Sequence, residues 1–164
     1  MLDFRLTRRG FVGSSVVLGA LLTSVRFTKA WVAPSLPYKR QRIANIKDVK
    51  LHEPIFFNYP DPDSPAILVK IGRPAIGGVG PDKDIVAFSA LCTHQGCPLS
   101  YSNGRFICKC HYSMFDPAKN GQTYQGHASE WLPQIRLRVD SKGDIYAEAV
   151  EGLIWGRVIN LIKK

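Results

Sequence analysis

After residue 31 the apolar positions recur at strand spacing, and no stretch sustains a helical period. Residues 134–139 alternate, with Ile135, Leu137 and Val139 on one face and Arg136 and Arg138 on the other. That pattern predicts a strand with one buried side. Ser141-Lys142-Gly143 then predicts a turn, and residues 144–150 a returning strand. Residues 85–91 are apolar except for Ser89 and predict a buried strand, and residues 66–71 a short β-branched one. Between them, Gly77-Gly78-Val79-Gly80-Pro81 predicts a turn or bulge. Asn103-Gly104 sits between strand formers, a tight hairpin signal resting on the positive φ those two residues accept. Residues 45–57 are expected to hold a first strand pair, Pro60, Pro62 and Pro65 with Asp61 and Asp63 a rigid loop, and residues 153–162 a last strand. Pro34 and Pro37 block helix formation, so residues 31–44 read as a linker. With no internal repeat or low-complexity segment, the pattern predicts one antiparallel all-β domain over residues 45–164.

Composition and charge refine this picture at the N-terminus. The chain has 164 residues, 45% of them hydrophobic and 21% charged, which suits a globular protein with one real core. Its net charge is +9, of which residues 1–30 supply +4 through Arg5, Arg8, Arg9, Arg26 and Lys29 against Asp3. The remainder is spread without a dense basic run, so no nucleic-acid footprint is present. Thr7-Arg8-Arg9-Gly10-Phe11-Val12 resembles a twin-arginine export signal, followed by a weak apolar run at residues 12–22. That run falls short of the roughly 20 apolar residues a bilayer crossing needs. Residues 1–30 therefore read as a signal peptide, ending near Ala30, and membrane anchoring is expected only if it stays uncleaved. The expected location is the periplasm, reached by a pathway that carries folded, cofactor-loaded cargo.

The candidate chemistry lies between residues 92 and 111, where all four cysteines fall. Cys92-Thr93-His94 and Cys108-Lys109-Cys110-His111 each end a strand-like segment and enter a loop. Two facing loops would present four ligands at one tip. Cysteine with histidine selects zinc, copper or iron–sulfur chemistry. A zinc-stabilised binding module is the non-redox reading, since two thiolates and two imidazoles close a tetrahedral site. Against it stand the one-residue Cys–His spacing, the absence of a histidine-bearing helix, and the two further cysteines Cys97 and Cys110. Colour separates the two readings, because a zinc protein is colourless.

The boxes Cys92-Thr93-His94-Gln95-Gly96-Cys97 and Cys108-Lys109-Cys110-His111-Tyr112-Ser113 resemble those of the Rieske family. The resemblance implies an antiparallel β-sandwich with an inserted cluster-binding subdomain at about residues 90–118. It also implies one [2Fe–2S] cluster per chain, with Cys92 and Cys108 on one iron and His94 and His111 on the other. Cys97 and Cys110 match the disulfide that ties the two loops in many members; the alternative is two free buried thiols, and an oxidising destination favours the bridge. Ser113 matches a hydroxyl that bonds a cluster sulfide, and Phe115 stands where a tyrosine often donates to a cysteine sulfur. Two thiolates and two sulfides balance two ferric ions to zero charge, whereas four thiolates would leave −2. Histidine ligation thus lifts the potential from about −400 mV to roughly −150 to +300 mV. Neutral imidazoles keep an outer N–H, so the potential is expected to fall with pH once one of them deprotonates.

Over roughly residues 65–160 the chain resembles the small subunit of arsenite oxidase, chiefly through residues 80–89 and Met114-Phe115-Asp116-Pro117. That resemblance implies a heterodimer whose large subunit holds a molybdenum–pterin centre and a [3Fe–4S] cluster. A soluble cytochrome c or azurin-like copper protein would take the electrons. No substrate-converting residue is expected on this chain, because its cysteines are already assigned. The small subunit of iodate reductase and the Rieske subunit of a respiratory bc complex are the alternatives.

Overall fold

The computed structural model describes residues 38–157, so the signal, most of the linker and residues 158–164 lie outside the described residues. Ten strands follow one another: β1 Gln41–Asn45, β2 Ile55–Asn58, β3 Pro65–Lys70, β4 Ile85–Ser89, β5 Leu99–Ser102, β6 Arg105–Cys108, β7 Met114–Asp116, β8 Gln122–Gln125, β9 Gln134–Val139 and β10 Asp144–Glu151. Two three-residue 3-10 turns, Ile46–Asp48 and Pro117–Lys119, are the helical structure among the described residues. None of it is long and apolar enough to cross a membrane.

The strands form two antiparallel sheets, a large one in the order β1-β10-β9-β4-β3-β2 and a small one in the order β5-β6-β7-β8. β4 and β9 are neighbours, pairing Ala87 with Ile135 and Phe88 with Gln134. The small sheet is therefore an insertion between two adjacent strands of the large one. The two edge strands of the large sheet approach each other, Gln41 Nε2 on β1 donating to the Asn58 carbonyl on β2 at 3.1 Å.

Strands β3 and β4 are buried on both sides. Ile67, Val69, Val86 and Phe88 pack with Leu99, Phe106 and Phe115 toward the small sheet. Ala66, Leu68, Ile85 and Ala87 pack with Ile135, Ile145 and Ala147 on the other face. This double burial explains why their sequences run apolar without alternation, while β9, buried on one face, alternates. Phe88 and Phe106 meet edge to face at 5.5 Å and join the two sheets. Such a pair contributes about 0.5–1.5 kcal/mol beyond its buried area.

Most predicted elements stand where the pattern places them, including the 99–108 hairpin, whose Asn103 and Gly104 adopt φ of 51° and 75°. Four boundaries are corrected. β1 begins at Gln41, inside the 31–44 segment assigned to the linker; it is an edge strand held by pairing with β10 and needs no strong apolar signal. Residues 45–57 hold no strand pair, since β2 pairs with β3 instead. The inserted subdomain extends past residue 118 to include β8. Residues 153–157 form a loop with Gly156 at φ 78° rather than a strand, and the rest of that predicted run lies outside the described residues.

Candidate metal centre

The two Cys–His boxes occupy two loops at one end of the small sheet. In the first, the Gly96 N–H donates to the Cys92 carbonyl and the Cys92 N–H to the Cys97 carbonyl, both at 2.8 Å. In the second, the Tyr112 N–H donates to the Cys108 carbonyl at 2.8 Å and the Cys108 N–H to the Ser113 carbonyl at 2.9 Å. The loops thus share one backbone frame, closed by the same two hydrogen bonds. The frame puts its fifth residue in the left-handed region, at φ 71° for Gly96 and 54° for Tyr112. Gly96 is also required sterically, since a Cβ there would run into the Trp155 ring.

Within these frames the chemistry is sided. Cys92 and Cys108 are unoxidised and fully buried, at 0% exposure. His94 is half-buried and His111 exposed, with their Nδ1 atoms 3.2 Å apart. Two nitrogens about 2.1 Å from one metal ion stand that far apart at a near-tetrahedral angle. Burial pushes the Cys92 thiol up, reinforced by the adjacent Cys108 and opposed by the His94 backbone and the Ser113 hydroxyl. The Cys92 thiol therefore keeps its proton unless a cation replaces it. Sulfur donors inside and imidazole nitrogens at the mouth fit a group that is thiolate-bound at one end and nitrogen-bound at the other.

The loops are tied together three ways. Cys97 and Cys110 form a disulfide across them, and the Cys108 sulfur lies within 4.8 Å of both bridged sulfurs. Oxidised to each other, Cys97 and Cys110 are not ligands. Thr93 Oγ1 and Thr123 Oγ1 donate to the Glu130 carbonyl at 2.8 and 2.6 Å, fastening a third loop, residues 126–130, to the first. Ser113 fastens that loop to the second: its buried Oγ accepts from the His127 and Ala128 N–H groups at 3.1 and 3.0 Å. The Ser113 hydroxyl also acts on the Cys92 thiol, opposing the upward push of burial. Phe115 is fully buried in β7, opposite Phe106, in the core that includes both buried cysteines.

The structure therefore brings the cysteines, the two box histidines and Ser113 to one tip with Phe115 in the core that includes Cys92 and Cys108, and adds two residues that sequence reasoning missed. Trp155 lies over Gly96 and places its Nε1 3.4 Å from the His94 carbonyl. His127 stacks on His94. A lone histidine and a lone tryptophan carry no spacing signal, and only the fold brings them near the boxes.

Residues 40–136 match the model of the Rieske [2Fe–2S] domain. The chain is 43% identical over 159 residues to the iodate reductase subunit IdrB of Pseudomonas sp. (strain SCT), covering 92% of this chain and 82% of that protein. It is 42% identical over 160 residues to the iodate reductase subunit IdrB of Denitromonas iodatirespirans, covering 92% and 84%. Among solved structures it is similar to the soluble domain of Rieske protein II (soxF) from Sulfolobus acidocaldarius, with a TM-score of 0.65 and 28% identity over 74% of this chain and 83% of that one. A zinc module is thereby set aside, for two sheets, an inserted tip and sided sulfur and nitrogen donors belong together in one fold. The chain is a member of the Rieske [2Fe–2S] family, an electron-transfer protein that carries a [2Fe–2S] cluster.

Proposed function

We propose that this chain is the electron-transfer small subunit of a periplasmic molybdenum oxidoreductase of the iodate reductase type. Cys92 and Cys108 hold one iron of the cluster, and His94 and His111 hold the other. The large subunit carries a molybdopterin centre and a [3Fe–4S] cluster, and a soluble cytochrome c or azurin-like protein is the outside partner. The N-terminal arginine pair, Arg8-Arg9, directs the folded, loaded chain across the membrane.

The observation that supports this reading best is the extent of the match. Identity of 43% over 92% of the chain reaches well beyond the cluster loops, to segments that a shared cofactor alone would not constrain. Arsenite oxidase, the first expectation from the sequence phrases, takes second place for that reason. The two enzymes differ in the direction of electron flow. Arsenite oxidation releases electrons toward the outside partner; iodate reduction draws them from it. A bound [2Fe–2S] cluster supplies one-electron exchange in either direction. The protein's part is to exclude water from the buried cysteines, hold the sulfurs with Ser113, and present the imidazole edges of His94 and His111 to solvent.

Co-expression with the molybdopterin subunit of an iodate reductase tests the reading. In the purified complex, iodate is expected to reoxidise the reduced cluster, seen as loss of its EPR signal, while arsenite leaves the oxidised cluster unchanged. Reduction of the cluster by arsenite with no response to iodate would replace the proposal by the oxidase.

A further inference from the structure

The tip carries a third imidazole that neither the ligand set nor the proposed reaction uses. His127 stacks on His94 with centroids 5.5 Å apart and planes 30° apart, and meets His111 edge-on at 6.3 Å. His94 and His111 are themselves edge to face at 4.8 Å. The three rings make one contiguous surface, with His111 and His127 both exposed.

The placement of His127 is built rather than incidental. Its own N–H and the next one both bond the buried Ser113 Oγ of the second loop. Gly126 before it lies at φ 91°, and a Cβ there would run into the Ser113 backbone, so the third loop presses directly on the second. Ala128 after it is buried in the core that holds both buried cysteines. Thr93 and Thr123 fix the loop's far end at the Glu130 carbonyl. The backbone that carries His127 is thus held on both sides, which keeps its ring within stacking reach of His94.

We propose that His127 is a positioning residue of the electron port: it holds the His94 ring by stacking and completes the three-imidazole surface on which a small soluble redox protein docks. The proposal rests on His94 and His111 being the iron ligands. A face of three flat rings in a small exposed tip suits the brief, low-area contacts of electron-transfer partners. Stacking also narrows the orientations open to a ligand ring.

The test uses the full, cluster-loaded chain and its His127→Ala and His127→Phe variants, each reduced with dithionite and freed of excess reductant, with oxidised cytochrome c as the one-electron acceptor. In His127→Ala the cluster content and visible spectrum are expected to persist. The EPR g-values should shift as His94 reorients, and the second-order rate of cytochrome c reduction should fall about fivefold, the factor one aromatic contact is worth. His127→Phe keeps a flat ring and should restore the rate to within about twofold. Wild-type rate and unshifted g-values in His127→Ala would overturn the proposal. Failure of the ligand assignment has a different signature: His127→Ala would lose the cluster while His94→Ala keeps it.

Discussion

Replacing Ser113 by alanine separates two jobs that one hydroxyl performs. Ser113 is fully buried; its Oγ accepts from the Ala128 N–H at 3.0 Å in the interior and from the His127 N–H at 3.1 Å nearer the surface. Ser113 also lowers the Cys92 thiol against the push of burial, the effect of a hydroxyl that donates to that sulfur. In Ser113→Ala the Ala128 N–H loses its partner where no solvent replaces it, at a cost of about 1–3 kcal/mol. The His127 N–H can turn to water and adds little. The redox effect comes from the other bond. Hydrogen bonds to charged groups are worth about 1.5–3 kcal/mol, and only the share that grows as the sulfur gains charge on reduction counts. Taking that share as about 1 kcal/mol, a one-electron couple shifts by about 40 mV, since 59 mV corresponds to a tenfold change. Ser113→Ala should therefore lower both the potential, by redox titration followed by EPR, and the denaturation midpoint. Ser113→Cys keeps a weaker donor and should fall between. An alanine variant with full cluster occupancy and the wild-type potential would show that the hydroxyl does not bond Cys92.

Three further outcomes are expected. Phe115→Tyr adds a donor inside the core shared with Cys92 and Cys108 and should raise the potential, by about 40 mV for each kcal/mol of bonding that favours the reduced state; an unchanged or lower value in a redox titration refutes a sulfur-directed hydroxyl. Cys97→Ala with Cys110→Ala opens a crosslink of sequence separation 13, worth about 3 kcal/mol, and the visible bands should bleach at lower denaturant than the large sheet unfolds by circular dichroism. Asp144 is held below the usual carboxylate range by hydrogen bonds from Arg42 and then Asn45. A lowered folded value means stability present above the ordinary carboxylate range and lost as pH falls through the lowered one. The melting difference between wild type and Arg42→Ala, followed by thermal scans from neutral pH downward, should accordingly shrink in acid; a difference that stays constant would remove Asp144 as its source.

Local signals determined a large part of this protein. The non-alternating apolar stretches of β3 and β4, up to Lys70 and Ser89 at their ends, specify strands buried on both faces, and the alternation of β9 specifies one buried face. Asn103-Gly104 specifies its hairpin because its φ values are local. The two Cys–His boxes name their chemistry because donor atoms are read directly from residue type. Tertiary structure decided the rest. β1, β7 and β8 are short or polar and exist through the partners they pair with, so nothing local marks them. Residue spacing differs between the boxes, yet one backbone frame serves both, since the frame is set by hydrogen bonds and not by side chains. His127 and Trp155 reach the tip from a third loop and from beyond β10, and a residue brought near by chain folding leaves no periodic trace in the sequence.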